Sequence, residues 1–174
     1  TLDYASNAFS YNGLVTSAYA NPFVQNLKLT ASVPLIENLA AIFGSGSLKN
    51  IEIDEANKEY KFEDQVLYNK DVTKMIYYLD SRVGDYELPE SITEIPDSAF
   101  NGKANVTKVI IHNKVTCIGA DAFKNCINLV EIEIKDNGGE KVDLKIGSNA
   151  FSGCKKLGKI TLSDRLVEMG DGVF

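Results

Sequence analysis

Four phenylalanines recur along the second half of the chain, and the same apolar residues follow each of them. Phe100, Phe123, Phe151 and Phe174 are separated by 23, 28 and 23 residues. From Phe100 the apolar positions fall at Val106, Val109, Ile111, Val115 and Ile118; from Phe151 they fall at Leu157, Ile160, Leu162, Leu166 and Met169. Both sets have offsets of 6, 9, 11, 15 and 18. From Phe123 the series runs through Leu129, Ile132 and Ile134, then KDNGGEKVDL inserts about five residues before Ile146 resumes it, as a bulging Gly-Gly loop would. A repeat of this length leaves few options. One unit cannot bury its own apolar face, so units must stack.

Stepping back 23 residues from Phe100 reaches Tyr77, and the offsets then give Val83, Tyr86, Leu88, Ile92 and Ile95. Further upstream, Ile42, Leu48, Ile51 and Ile53 fit the first half of a unit. Leu27, Leu29, Val33 and Ile36 fit the middle of another, and Asn7-Ala8-Phe9 reads as one more anchor. Residues 57–79 break the series. There QVLYN and KMIYYL flank the turn-forming Lys70-Asp71, the pattern of an inserted β-hairpin.

The spacing within a unit predicts local structure. Ile132 and Ile134 alternate with glutamates and predict a short strand with the isoleucines inward. Ala122-Phe123, Cys126 and Leu129 lie three apart, which predicts a helical or 3-10 turn with Asp97, Asp121 and Ser148 or Asn149 as caps. Stacked units would align the phenylalanines in one ladder and Cys126 with Cys154 in another. Three cysteines without a C-x-x-C pair do not make a disulfide framework, and all three are expected as thiols.

The run Val115-Thr-Cys-Ile118-Gly119-Ala-Asp-Ala122-Phe123-Lys-Asn-Cys126-Ile-Asn-Leu129-Val-Glu-Ile132-Glu-Ile134 resembles the BspA-like (Treponema-type) class of leucine-rich repeats. Residues 66–100 resemble the hairpin-bearing unit of that family, while Lys103 stands where a small residue or cysteine is usual. The resemblance implies an α/β fold: a right-handed leucine-rich-repeat solenoid with one parallel sheet. Each ~23-residue coil would supply one short strand, with helical or 3-10 turns on the other side and a β-hairpin inserted near 62–79. The chain is expected to form one domain, with irregular coils over 1–56, a hairpin-bearing coil over 57–91 and regular coils over 92–174. It ends on an anchor without a polar cap, which suggests a piece of a longer protein.

The family implies a secreted or cell-surface protein, mostly bacterial, used in adhesion. The partner would be an extracellular protein or glycan, such as a host matrix protein. TLDYASNAF has no basic stretch followed by an apolar one, so the location rests on the resemblance alone. A net charge of −6, from 24 acids and 18 bases, repels phosphate backbones and argues against nucleic acid. No apolar run is long enough to span a membrane as a helix. With one histidine, His112, a multi-histidine metal site is excluded, and no nucleotide or cofactor fingerprint occurs. Asp136-Asn137-Gly138-Gly139 lacks the later ligands of a calcium loop and reads as a turn.

The outward strand residues define the candidate binding face: Glu52, Glu87, Ile110, His112, Glu131 and Glu133. Lys108, Glu131 and Lys159 would stand side by side with alternating sign, and Glu52 beside Glu87 with like sign. Ile110 with His112 would make an apolar spot with a titratable ring. The expected function is non-catalytic recognition. The rivals are a passive spacer and, further off, a carbohydrate-active enzyme using a glutamate pair, for which an open sheet offers no desolvating pocket.

Overall fold

A computed structural model describes residues 2–3, 25–36, 39, 48–136 and 142–174. The expected anchor at 7–9, Ile42, and the turn at 137–139 lie outside the described residues. The chain divides into two compact units, Thr1–Ser81 and Arg82–Phe174.

The first unit holds a parallel sheet of β1 (Leu2–Asp3), β2 (Asn26–Leu29) and β3 (Asn50–Ile53). Leu27 pairs with Ile51 and Leu29 with Ile53, so the faint upstream repeat is a real ladder. The expected hairpin is a three-stranded antiparallel meander: β4 (Tyr60–Glu63), β5 (Val66–Asn69) and β6 (Met75–Tyr78). Its first turn places both Asp64 and Gln65 at positive φ, 47° and 61°, as tight hairpins with twisted strands require. Tyr60 is buried, and its hydroxyl donates to the Pro34 carbonyl at 2.7 Å and accepts from the Ile36 N–H at 2.6 Å. Tyr68, Tyr77 and Tyr78 are 3%, 2% and 1% exposed, so this insertion carries its aromatics inward. Burial, with the Asp80 carboxylate added, pushes the Tyr77 phenol well above its ordinary value.

The second unit is a right-handed β-solenoid. The single sheet expected from sequence is replaced by two parallel four-stranded sheets. One has the order β7 (Gly84–Glu87), β9 (Val106–Ile111), β11 (Glu131–Ile134), β13 (Lys159–Thr161). The other has β8 (Glu94–Ile95), β10 (Cys117–Ile118), β12 (Leu144–Ile146), β14 (Leu166–Met169). Every coil gives one strand to each. Val109 aligns with Ile132 and Ile160, and Ile95 with Ile118, Ile146 and Met169. Those positions are buried in the inner coils, whereas Leu162 and Met169 of the last coil are 41% and 42% exposed.

The expected helical turns are also missing from the coils of the second unit. Among the described residues only Leu39 is helical. The segments around the phenylalanines are successions of turns, because Ser98, Asp121 and Asn149 have φ of 59°, 55° and 55°, and Asn125 has 59°. A left-handed residue interrupts a right-handed helix. The N–H groups a helix would have satisfied internally point to the next coil instead. Phe100 N donates to Ala122 O, Phe123 N to Ala150 O and Phe151 N to Val173 O, each at 2.7 Å. The expected caps work across coils too: Asp97 Oδ1 accepts from Ala120 N at 2.7 Å. The isoleucine-glycine pair has its cause here. A Cβ on Gly119 would lie 2.5 Å from Asp97 N, and one on Gly147 2.5 Å from Ala120 N.

The phenylalanines stack as expected. Ring centroids of Phe100 and Phe123, Phe123 and Phe151, and Phe151 and Phe174 are 4.7, 5.4 and 5.7 Å apart. Phe100 also meets Tyr86, at 5.6 Å but with the rings tilted by 56°, so the parallel stack ends at Phe100. Cys126 Sγ donates to Phe100 O and Cys154 Sγ to Phe123 O, at 2.9 and 3.0 Å. Lys103, on the preceding coil, is buried as well.

Candidate binding face

The sheet β7–β9–β11–β13 turns one side to the core and one to solvent, as period-two alternation dictates. On the outer side Lys108 is level with Glu131, and Glu131 with Lys159. Glu87 is level with Ile110, Ile110 with Glu133, and Glu133 with Thr161. Ile110 therefore sits, half-buried, between two carboxylates.

Lysines close this face. Lys108 Nζ lies 2.6 Å from Glu133 and 3.5 Å from Glu131. Lys159 takes the other oxygen of Glu131, and Lys135 reaches Glu87 at 2.6 Å. Three glutamates (87, 131, 133) thus meet three lysines (108, 135, 159), and the acidic character expected of the face is cancelled locally. The hydrogen bond from Lys159, with charge from Lys108 and Lys159, holds Glu131 below its ordinary carboxylate range. Glu133 raises Lys108, and Glu87 raises Lys135. A glycosidase acid needs the opposite, a carboxyl kept protonated by desolvation, so Glu131 is poorly suited to that role.

Two expected members stand elsewhere. His112 is 3% exposed. Its Nε2 lies 2.9 Å from Pro89 O, and its Nδ1 accepts from Lys114 N at 3.2 Å, which makes Nε2 the donor. With both nitrogens used, the ring fastens two coils and is not offered to a partner. Position 112 follows the end of β9, where the chain turns inward, and alternation no longer predicts its direction. Glu52 lies on β3 beside Lys28, in a different sheet from Glu87, so these two glutamates are not ladder neighbours.

Lys108 and Lys159 were legible as face residues from their offsets, but the closing of the acids by Lys108, Lys135 and Lys159 depends on side-chain reach across strands. Among the described residues no group of three His, Cys, Asp or Glu could hold a metal ion. Among the described residues no helix is long and apolar enough to cross a membrane.

Parallel strands in register, inward ladders and one turn side define a leucine-rich-repeat solenoid. The chain belongs to the BspA type leucine rich repeat region family, which matches it in six copies over residues 12–140 and 70–174. Among solved structures it is similar to the pneumococcal vaccine antigen PcpA, with 29% identity and a TM-score of 0.74 over 88% of this chain and 37% of that one. It also shares its fold with a leucine rich cell surface protein from Faecalibacterium prausnitzii A2-165, at 19% identity and a TM-score of 0.54, covering 88% and 62%. The chain thus spans little more than a third of the pneumococcal protein. No curated protein gives a significant sequence match.

Proposed function

We propose that this chain is a non-catalytic recognition module of a bacterial surface protein, and that it binds an extracellular protein through the outer face of the β7–β9–β11–β13 sheet. The observation that carries this reading is Ile110, an apolar side chain held between Glu87 and Glu133 in a field of paired charges. Binding energy concentrates in a few central contacts ringed by polar groups, and ordered charges of both signs select partners more than they add affinity. Membership in the BspA type leucine-rich-repeat family, likeness to a pneumococcal vaccine antigen and a fold shared with a leucine rich cell surface protein support the location. Glu87, Glu131 and Glu133 remain in the proposed site as the charged frame, with Lys108, Lys135 and Lys159 added. His112 has a structural role.

The self-neutralised face also suits a passive spacer, whose exposed surface needs only solubility. A panel of matrix proteins and glycans, screened against the wild type and Ile110→Glu, separates the two. Recognition predicts saturable binding of a panel member, weakened at least tenfold by Ile110→Glu. Binding that the substitution leaves intact, or no saturable binding to any member, removes this face from the proposal.

A further inference from the structure

Between each phenylalanine anchor and the outer strand that follows it, the second unit carries a stripe without acids. Residues 101–107, 124–130 and 152–158 take offsets one to seven after Phe100, Phe123 and Phe151. None of them is Asp or Glu, although the chain has 24 acids and a net charge of −6. Coil-to-coil hydrogen bonds hold the three segments side by side. At the anchor end Gly102 N donates to Lys124 O at 2.7 Å and Asn125 N to Ser152 O at 2.8 Å. At the strand end Val130 N donates to Thr107 O at 2.8 Å and Gly158 N to Val130 O at 3.1 Å. Equal offsets between those fixed ends bring Lys155 level with Ile127 and Gly158 level with Val130.

The fold uses neither the free cations of this stripe nor its outward apolar side chains. Lys155 and Lys156 are exposed and make no ion pair among the described residues. Every other described lysine of the second unit is buried, as Lys103 is, or paired with a carboxylate. Beside the two lysines, Ile127 and Val130 are 42% and 49% exposed, while Cys126 and Leu129 of the same segment are fully buried. Gly158 has no side chain to cover Val130. Apolar contacts with a charged rim are the composition of a protein docking surface.

We propose that this stripe docks an acidic segment of another protein, whose carboxylates meet Lys155 and Lys156 and whose apolar side chain lies on Ile127 and Val130. Charge of one sign within an acid-free strip selects an anionic partner and speeds its encounter. An anionic glycan would satisfy the lysines but brings no aliphatic group for Ile127 and Val130. A lipid surface is recognised by clusters of about 4–8 bases, more than the stripe leaves free. The surface is distinct from the face around Ile110 and does not depend on it.

Synthetic peptides test the two halves of the surface separately. One alternates glutamate with leucine, one is glutamate alone, and one alternates lysine with leucine. Fluorescence anisotropy follows their binding to the intact chain, with heparin and phosphatidylserine vesicles in parallel. The glutamate–leucine peptide is expected to bind saturably, about tenfold more tightly than glutamate alone, and to weaken about tenfold from dilute buffer to physiological salt as its charge pairs are screened. Lys155→Glu with Lys156→Glu should abolish binding. Ile127→Ser should bring the mixed peptide down to the affinity of plain glutamate, and Ile110→Glu should change nothing. Thermal midpoints check that each variant is folded; if the charge reversal is not, Lys155→Gln with Lys156→Gln takes its place. The proposal is overturned by an absence of saturable binding, by binding indifferent to the lysine substitutions, by equal binding of the lysine–leucine peptide, by loss of binding in Ile110→Glu, or by tighter binding of heparin or the vesicles.

Discussion

Phe100 and Phe123 lie face to face, with ring centroids 4.7 Å apart and planes inclined by only 11°. Their main chains are bonded as well, since Phe100 N donates to Ala122 O. Backbone pairing sets the interval between coils, and the rings fill it. The stack then repeats through Phe151 and Phe174 with inclinations of 12° and 17°.

Phe123 is fully buried between two rings. Phe123→Ala is expected to cost ~3–5 kcal/mol, the range for removing a core aromatic. Damage in a stacked array spreads chiefly to neighbouring coils. Hydrogen exchange should therefore report lost protection in the coils of Phe100 and Phe151 first. A destabilisation under ~0.5 kcal/mol, the size of a surface change, would refute the ladder's energetic role.

Gly119→Ala and Gly147→Ala are expected to destabilise by ~1–3 kcal/mol, the scale of overpacking. The new methyl meets backbone 2.5 Å away, and backbone cannot swing aside as a side chain can. Gly158→Ala is the control, because its nearest atom is 3.8 Å off. Equal thermal midpoints for all three would show that the coils are not held so close.

All three cysteines are thiols in this structure. The hydrogen bond with Cys154, then burial, push the Cys126 thiol up, so its thiolate is suppressed. Native alkylation at neutral pH should leave Cys126 unlabelled for as long as the chain stays folded. Denaturation without reductant should expose three reactive groups. A single label after denaturation would reveal a disulfide.

The charged face makes a pH prediction with two limbs. Glu131 titrates below its unfolded value, so its contribution is present above that unfolded value and is lost as pH falls through the folded one. Lys108 and Lys135 titrate above theirs, so their contribution is present below the unfolded lysine value and is lost as pH rises through the folded one. These groups are exposed enough for solvent and salt to screen them. Glu131→Gln should flatten the acid limb slightly in dilute buffer and not at high salt. An acid limb unchanged by the substitution would place acid sensitivity in other carboxylates.

Much of the fold could be read from spacing alone. The phenylalanine anchors, the inward isoleucines, and the level alignment of Lys108, Glu131 and Lys159 all follow from equal offsets. In-register parallel pairing turns an offset in sequence into a position in space. The weak upstream repeat was legible for the same reason, and Leu27 does pair with Ile51. The candidate face was legible as a list of outward residues, but not as a charge pattern.

What the amino-acid order determined by itself was the unit, its period, its inward ladder and the identity of the residues that touch on successive coils. Tertiary structure decided how each unit bends. Three-residue spacing fits a helical turn and a chain of β-turns equally well. The choice went to turns because Asp121, Asn125 and their equivalents adopt positive φ while the next coil's carbonyls take their N–H groups. It also decided where side chains go once alternation ends. His112 turned inward to the Pro89 carbonyl, and Arg165 threaded three coils. Both outcomes depend on polar partners that lie more than twenty residues away, and only stacking brings those partners within hydrogen-bonding distance.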